Sequence, residues 1–465
     1  MTSVLRDDFT ARARLEERLL ARRRRGTALP VLPRRPGAEN RFAASLGQEG
    51  MWPSLAGSPR PPLIVGGLRL TGPLDVGALR AAWERVAARH ETLRSGYRAE
   101  GGALVQVVAP HAAPHVEERP AGPATAATLA DDELAYPFDL GAGPLARLAV
   151  LRHSADEHLV VVTLHHLIGD ARALECLTDE VSAGYAAAVT GTGPELPGLP
   201  VQYADFAAWH RERVAGEHGE RTIRYWVDRL AGAEPAVLPA DRADAEAGIA
   251  GRTLSFPLSP EVFEQVRAVA ARHRTTWYVV GLAAFQALLA RWSGQDDICV
   301  RAPVSYRDRT EVHDLVADFS NDVTVRADLS GNPTLAELVD QVRTTTTGDF
   351  AHHDVPPHLV AARMADPGLI DRLHHVQFTA EREHEISGAQ RLGEVRAERF
   401  SPTARTVARP LSVRLRHDDH SARCIVAYRS GLFSAERIAR LQEAYAALFT
   451  ELAEHPDHRV LRPRG

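Results

Sequence analysis

The sequence predicts two α+β lobes with a cleft between them, on three observations. A chain of 465 residues is too long for one compact core. Both halves mix helical spacing with β-branched runs. Neither half shows strict strand–helix alternation or a glycine-rich dinucleotide loop, which argues against a doubly wound parallel sheet. The division expected is a basic arm over residues 1–37, a first lobe over 38–215 and a second over 216–465. Clefts between lobes are where ligands usually bind.

The arm carries ten arginines in residues 1–35, then prolines from Pro30 to Pro36. Leu15, Leu19 and Leu20 suggest a short helix before a linker. The arm is either solvated and partly disordered or a docking element for an acidic partner. Leu74, Leu79, Trp83 and Val86 give helical spacing over Leu74–His90, followed by a strand pair from Tyr97 to Val108. Leu159–Leu164 is a β-branched strand, His165–Asp170 a tight loop and Ala171 to about Val189 an amphipathic helix. A Gly/Pro connector leads to helices at Val201–Val214 and Arg221–Leu230. In the second half, helices are expected at Pro260–His273, Trp277–Trp292, Thr334–Thr346 and Ser434–Leu452. Strands are expected at Ile298–Pro303, Leu411–Leu415 and Ala422–Tyr428.

Composition narrows the chemistry. A net charge of −5 excludes a general nucleic-acid footprint. No apolar run is long enough to span a bilayer, and the N-terminus lacks the apolar core of a secretory signal. Cys176, Cys299 and Cys424 are scattered in apolar surroundings, which suggests reduced, buried thiols and a cytoplasmic protein. All 55 basic residues are arginine. Lysine Schiff-base chemistry and P-loop or kinase-type phosphate binding are thereby excluded.

His165-His166-Leu167-Ile168-Gly169-Asp170 is the most informative run. Neighbouring side chains on a strand point to opposite faces, so one imidazole can face the cleft while the other packs inward. Asp170 stands at a helix N-cap position and can also form an ion pair that aims His166; Arg94 is a candidate partner. Adjacent histidines on one strand cannot aim both rings at one ion, so no metal site is expected. No Gly-x-Ser-x-Gly elbow supplies a serine nucleophile, and Cys176 lies within a predicted helix. The chain offers a proton-handling group without a nucleophile of its own, which suggests direct attack of one substrate on another.

His165 to Ala171 resembles the HHxxxDG signature of nonribosomal peptide synthetase condensation domains, a signature shared in variants by chloramphenicol acetyltransferase-like enzymes. Further segments are similar to family motifs in the family's order. They are Ser45–Trp52, Arg89–Arg94, Tyr203–Trp209, Pro303–Arg307, Phe319–Val323 and His353–Pro356. Ala171 replaces the motif glycine, and Pro357 stands where the family has phenylalanine.

The resemblance implies two chloramphenicol acetyltransferase-like lobes in a V, a pseudo-dimer with a central tunnel. It implies a freestanding condensation enzyme of peptide-antibiotic biosynthesis, working as a monomer. A carrier protein would deliver the donor as a phosphopantetheine thioester. The nucleophile would be an amine on a second carrier or a small amine, with a hydroxyl acceptor or an inactive carrier-docking module as alternatives. No cofactor is bound directly. His166 would be catalytic, His165, Asp170, Arg89 and Arg94 structural, and Gly169 and Ala171 would line the substrate channel.

Overall fold

The computed structural model describes residues 28–461, apart from 56–61, 112–114, 121–132, 135, 192–195, 239, 243–247, 249, 383–389, 401–406 and 408. Most of the basic arm, residues 1–27, lies outside the described residues. Residues 28–37 run along the body. Leu29 is buried in a cluster with Tyr203, Phe206, Tyr306 and Phe319. Arg34 places Nη1 2.6 Å from Asp205 Oδ1 and Nη2 3.0 Å from Glu91 Oε2.

The first half contains β1 (Asn40–Ala43), α1 (Leu46–Leu55), β2 (Leu63–Thr71), α2 (Val76–Arg89), β3 (Ser95–Glu100), β4 (Ala103–Val108), β5 (His115–Pro120), β6 (Ala146–Arg152), β7 (Glu157–His165), α3 (Ala171–Thr190), α4 (Tyr203–Ala215) and α5 (Glu217–Arg229). The second contains β8 (Gly251–Pro257), α6 (Pro260–Arg272), α7 (Trp277–Ser293), β9 (Asp297–Ser305), β10 (Ser320–Asp328), α8 (Leu335–Ala351), α9 (Pro357–Ala361), α10 (Leu369–Leu373), β11 (Val376–Arg382), β12 (Gln390–Leu392), β13 (Val395–Phe400), β14 (Leu411–His417), β15 (Ala422–Arg429) and α11 (Ala435–Glu454). Among the described residues these build two six-stranded sheets, ordered β12-β13-β2-β7-β6-β5 and β10-β9-β11-β14-β15-β8, and a three-stranded sheet, β1-β4-β3. None of the described helices is long and apolar enough to cross a membrane.

Capping chemistry starts the helices where the sequence suggests. Asp75, Asp170, Ser259, Thr276, Thr334 and Ser434 each accept the backbone N–H three residues on. Amphipathic α2 and α3 bury Leu79, Trp83, Val86, Leu177 and Val181 against Leu148, Val150, Val160 and Val162 of the first sheet. In the second lobe α7 is buried at every position from Val279 to Ala290, as befits a helix walled by a sheet and other helices.

Several strands escape the sequence reading. In β2, Gly66-Gly67 breaks the apolar run, but both glycines serve close packing. A Cβ at Gly67 would lie 2.3 Å from the Val160 carbonyl oxygen, and one at Gly66 would lie 2.6 Å from Leu174 Cδ2. In β10, charged residues disguise an alternation in which Val323, Val325 and Ala327 are buried.

The division at residue 215 needs one correction. Strand β13 pairs antiparallel with β2, from Arg396↔Thr71 to Phe400↔Gly67, so residues 390–400 extend the first sheet. The β9–β10 connection, residues 306–319, also reaches back. Val316 joins the first core, its N–H lies 3.3 Å from His90 Nδ1, and its carbonyl accepts the Thr92 hydroxyl. Backbone pairing thus ties the lobes together beside the first half of β7, and the 306–319 connection ties them through the Val316 anchor.

Candidate active site

Strand β7 delivers His165 and His166 to this seam. The His166 N–H donates to the Pro62 carbonyl at 2.8 Å, which fixes the backbone beside the start of β2. His165 points inward and is fully buried. Its Nδ1 accepts the Leu167 N–H at 3.0 Å, so the proton of the neutral ring sits on Nε2. Burial, with the charge of His166 next to it, pushes its pKa down to about 4.

His166 takes the opposite environment. Its side chain is 35% exposed, and its Nδ1 lies 3.5 Å from Asp318 Oδ2. That distance is an ion-pair contact rather than a hydrogen bond. Because Nδ1 itself is buried, the open part of the ring is the Nε2 side. Burial opposes a charge here, but the Asp318 carboxylate, with Asp170 behind it, outweighs that and raises the pKa to about 9. The carboxylate thus favours the protonated ring.

Asp318 is itself held on every side. Its Oδ1 accepts the Ser320 N–H at 2.9 Å and the Ser320 hydroxyl at 2.6 Å, leaving Oδ2 for His166. The Tyr203 hydroxyl donates to the Asp318 carbonyl at 2.5 Å and sits 2.9 Å from Ser45 Oγ. Gln48 Nε2 donates to the Leu167 carbonyl, 2.8 Å away, just past His166. Residues from α1, α4 and the β9–β10 connection thus converge on the His166 turn.

Asp170 performs both expected tasks with a different partner. Its Oδ1 caps α3 through the Ala173 N–H at 2.6 Å, and its Oδ2 accepts the Phe319 N–H at 3.0 Å. The ion pair is with Arg307, whose Nη2 is 3.2 Å from Asp170 Oδ1, not with Arg94. Arg94 instead donates to the Ala109 carbonyl and faces Glu91 Oε1 at 3.9 Å. It follows α2 closely in sequence, but its turn points it toward β4. Arg307 also donates to the Val312, His313 and Ala317 carbonyls and stacks 4.3 Å from the Phe319 ring centroid. One guanidinium therefore shapes the loop that presents Asp318.

Arg89 ties α2 to α3 through Glu180 Oε1 at 3.1 Å, and His90 Nε2 meets Glu180 Oε2 at 2.9 Å. Gly169 is buried, and a Cβ there would meet Leu164 Cδ1 at 2.9 Å. Ala171 is exposed at the first position of α3. Two further histidine pairs, His352-His353 and His374-His375, each place their first ring in packing contacts. His352 stacks on Tyr225 with centroids 3.8 Å apart, and buried His374 bonds Thr324 Oγ1 at 2.8 Å. Among the described residues, no group of three or more His, Cys, Asp or Glu is placed to hold a metal ion. Cys176 is buried in α3, and burial pushes its thiol up to about 11.

The model of the condensation-domain family matches residues 41–463. The chain belongs to the condensation-domain family. The domain is 32% identical over 462 residues to phosphinothricin tripeptide synthetase PhsC of Streptomyces viridochromogenes, spanning 96% of this chain and 42% of that one. It is 30% identical over 411 residues to a linear gramicidin synthase of Brevibacillus parabrevis, spanning 84% of this chain and 8% of that one. The chain thus covers less than half the length of these relatives. The X-domain from teicoplanin biosynthesis superposes with a TM-score of 0.84 at 25% identity, covering 94% of this chain and all of that one; a similar X-domain has been solved in complex with OxyB. The first condensation domain of the CDA synthetase gives a TM-score of 0.74 at 19% identity, covering 90% of this chain and 98% of that one. The two-lobed α+β fold is that of condensation domains, which act on carrier-bound substrates.

Two important residues of the domain's site escape the sequence reading. Asp318 precedes the Phe319–Val323 motif and carries no local signal. Arg307 ends a recognised motif, but nothing in the sequence pairs it with Asp170. Ser45, Gln48 and Tyr203 stand within recognised motifs, and their hydrogen bonds show what those motifs hold in place.

Proposed function

We propose that this domain joins a carrier-bound acyl or aminoacyl thioester to a nucleophile, amine or hydroxyl, at His166. The observation that carries this reading is an open imidazole edge where the two lobes meet, with Nδ1 turned to a carboxylate and Nε2 left for substrate. The nucleophile's lone pair attacks the thioester carbonyl carbon, and a tetrahedral oxyanion forms. His166 Nε2–H donates to that oxygen. Collapse breaks the C–S bond; the proton lost by the nucleophile ends on the departing pantetheine sulfur. Acyl–S and H–N become acyl–N and H–S, with no external redox partner. Holding two tethered reactants together can contribute about 7–11 kcal/mol, whereas one oxyanion donor adds about 10²–10³-fold. Positioning is therefore the larger share, and His166 the smaller.

A second reading, a docking module without catalysis, draws on the likeness to an X-domain solved with OxyB. Intact-mass analysis of donor-loaded carrier proteins incubated with the domain and candidate acceptors separates the readings. An amide or ester product supports catalysis. Carriers that bind yet keep their acyl groups with every acceptor contradict it and leave docking.

A further inference from the structure

Resting on that reading, we propose that residues 29–34 form a strap that positions Asp318 for His166, with Arg34 as the positioning residue that closes it. The strap precedes β1 and takes no regular secondary structure. It holds the body at two points. Leu29 is buried in a cluster that takes in Ala317 and Phe319, the two chain neighbours of Asp318. Arg34 makes the second hold. Its Nε and Nη2 each lie 3.0 Å from a Glu91 carboxylate oxygen, and its Nη1 donates to Asp205 Oδ1 and to the Leu32 carbonyl, both at 2.6 Å. The Leu32 N–H donates to the same Asp205 oxygen at 2.8 Å.

The two carboxylates need this partner. Glu91 and Asp205 are both buried, and a buried carboxylate that loses its counter-charge is strongly destabilised. Among the described residues, Arg34 supplies the ion pair of Asp205 and the closer of two guanidinium contacts to Glu91, with Arg94 at 3.9 Å.

Both carboxylates sit under groups that hold the β9–β10 connection. Asp205 Oδ2 accepts the Gln202 N–H at 2.8 Å, which starts α4 and sets Tyr203, whose hydroxyl donates to the Asp318 carbonyl. Glu91 precedes Thr92, whose hydroxyl donates to the Val316 carbonyl. Gln202 joins the two sides: its Oε1 accepts the Glu91 N–H at 3.1 Å, and its Nε2 donates to the Arg89 carbonyl at 3.0 Å. One arginine therefore fixes the backbone beneath both hydroxyls. Asp318 stands just before β10, so its place depends on what holds the connection. Its contact with His166 is 3.5 Å, which leaves little slack. A misplacement of about 1 Å arising far from the chemistry can cost about 10²-fold in rate.

The test compares the full chain with its Arg34→Ala, Leu29→Ala and Arg35→Ala variants, using alanyl N-acetylcysteamine thioester and glycinamide as probes. Arg35 is exposed beside the clasp, so Arg35→Ala removes a like charge without opening it. Arg34→Ala should lower kcat by about 10²-fold and Leu29→Ala by less, both with the KM for the thioester unchanged, while Arg35→Ala stays at the native rate. Hydrogen-exchange mass spectrometry on the same proteins should show faster exchange over residues 306–319 in the first two variants and unchanged exchange in buried α7. Native kcat in both Arg34→Ala and Leu29→Ala, a loss confined to KM, or an equal loss in Arg35→Ala overturns the proposal. So does unchanged exchange over 306–319, or loosening that spreads equally through α7. Should Arg34→Ala fail to fold, Leu29→Ala, which strands no charge, decides by the same readouts. A native domain inert toward these probes and toward loaded carriers counts against the condensation reading instead. The exchange measurement needs no turnover and then still decides whether the strap holds the connection.

Discussion

His165 is fully buried, while His166, one residue on, leaves 35% of its side chain open beside Asp318. Burial drives the first ring to about 4, and a carboxylate draws the second to about 9. His165 ends β7 and His166 opens the short 3-10 turn that follows, which separates the two rings but does not decide which one carries charge. That is decided by the β9–β10 connection, a segment of the other lobe. The β7–α3 turn is held by its own cap and by bonds to Pro62 and Gln48 from elsewhere in the first lobe. The 306–319 loop is built from Arg307, Asp170 and the Val316 anchor. A proton-handling site arises only where the two meet.

The largest effect on this arrangement is expected from Asp170→Ala. It removes a helix cap worth about 1 kcal/mol and leaves the buried Arg307 guanidinium unpaired, for a total loss of about 4 kcal/mol. Thermal unfolding should show a marked fall in Tm; a change within error would mean that Arg307 finds another partner. Asp170→Asn should retain the cap and lose less.

The two histidines should tilt stability in opposite directions with pH. His165 has a folded pKa below its unfolded value. Its neutral burial is thus fully tolerated above about 6.5, and about 3 kcal/mol is lost as pH falls through 4. His166 has a folded pKa above its unfolded value. Its contribution is complete below about 6.5 and fades as pH rises through 9, and solvent exposure of the ring keeps it the smaller of the two. Denaturant unfolding across pH, with His165→Gln and His166→Gln, resolves the two limbs. A mutation at His165 that changed only the alkaline limb would reverse the comparison.

The smallest effect is expected from Arg94→Ala. Arg94 does not touch Asp170, so its loss should cost about 1 kcal/mol and leave the His166 titration midpoint in place. A moved midpoint would restore Arg94 as the residue that aims the turn.

Much of the site was legible because it is local. Asp170 as a cap follows from residue types at adjacent positions, while His166 stands one residue past the strand end, at the start of a 3-10 turn. The helices over 260–293 fall within a residue of their expected ends because Ser259 and Thr276 cap them and Gly294 closes the second. What stayed hidden is long-range. Arg307 lies 137 residues from Asp170 in sequence, and no periodicity links them. Asp318 reads as an ordinary loop acid until the fold sets it beside an imidazole. Strand β13 joins the first sheet by pairing with β2 and by burying Val395 and Ala397 in the first core, a pattern too short to name its distant partner. The signal in β10 was present in Val323, Val325 and Ala327, and the charges between them obscured it.

The most direct test of the account is single-turnover acyl transfer from a loaded carrier to an amine, native domain against His166→Ala. His166→Ala is expected to slow the transfer step about 10²–10³-fold with carrier binding retained. Transfer at the native rate by the alanine variant would contradict it.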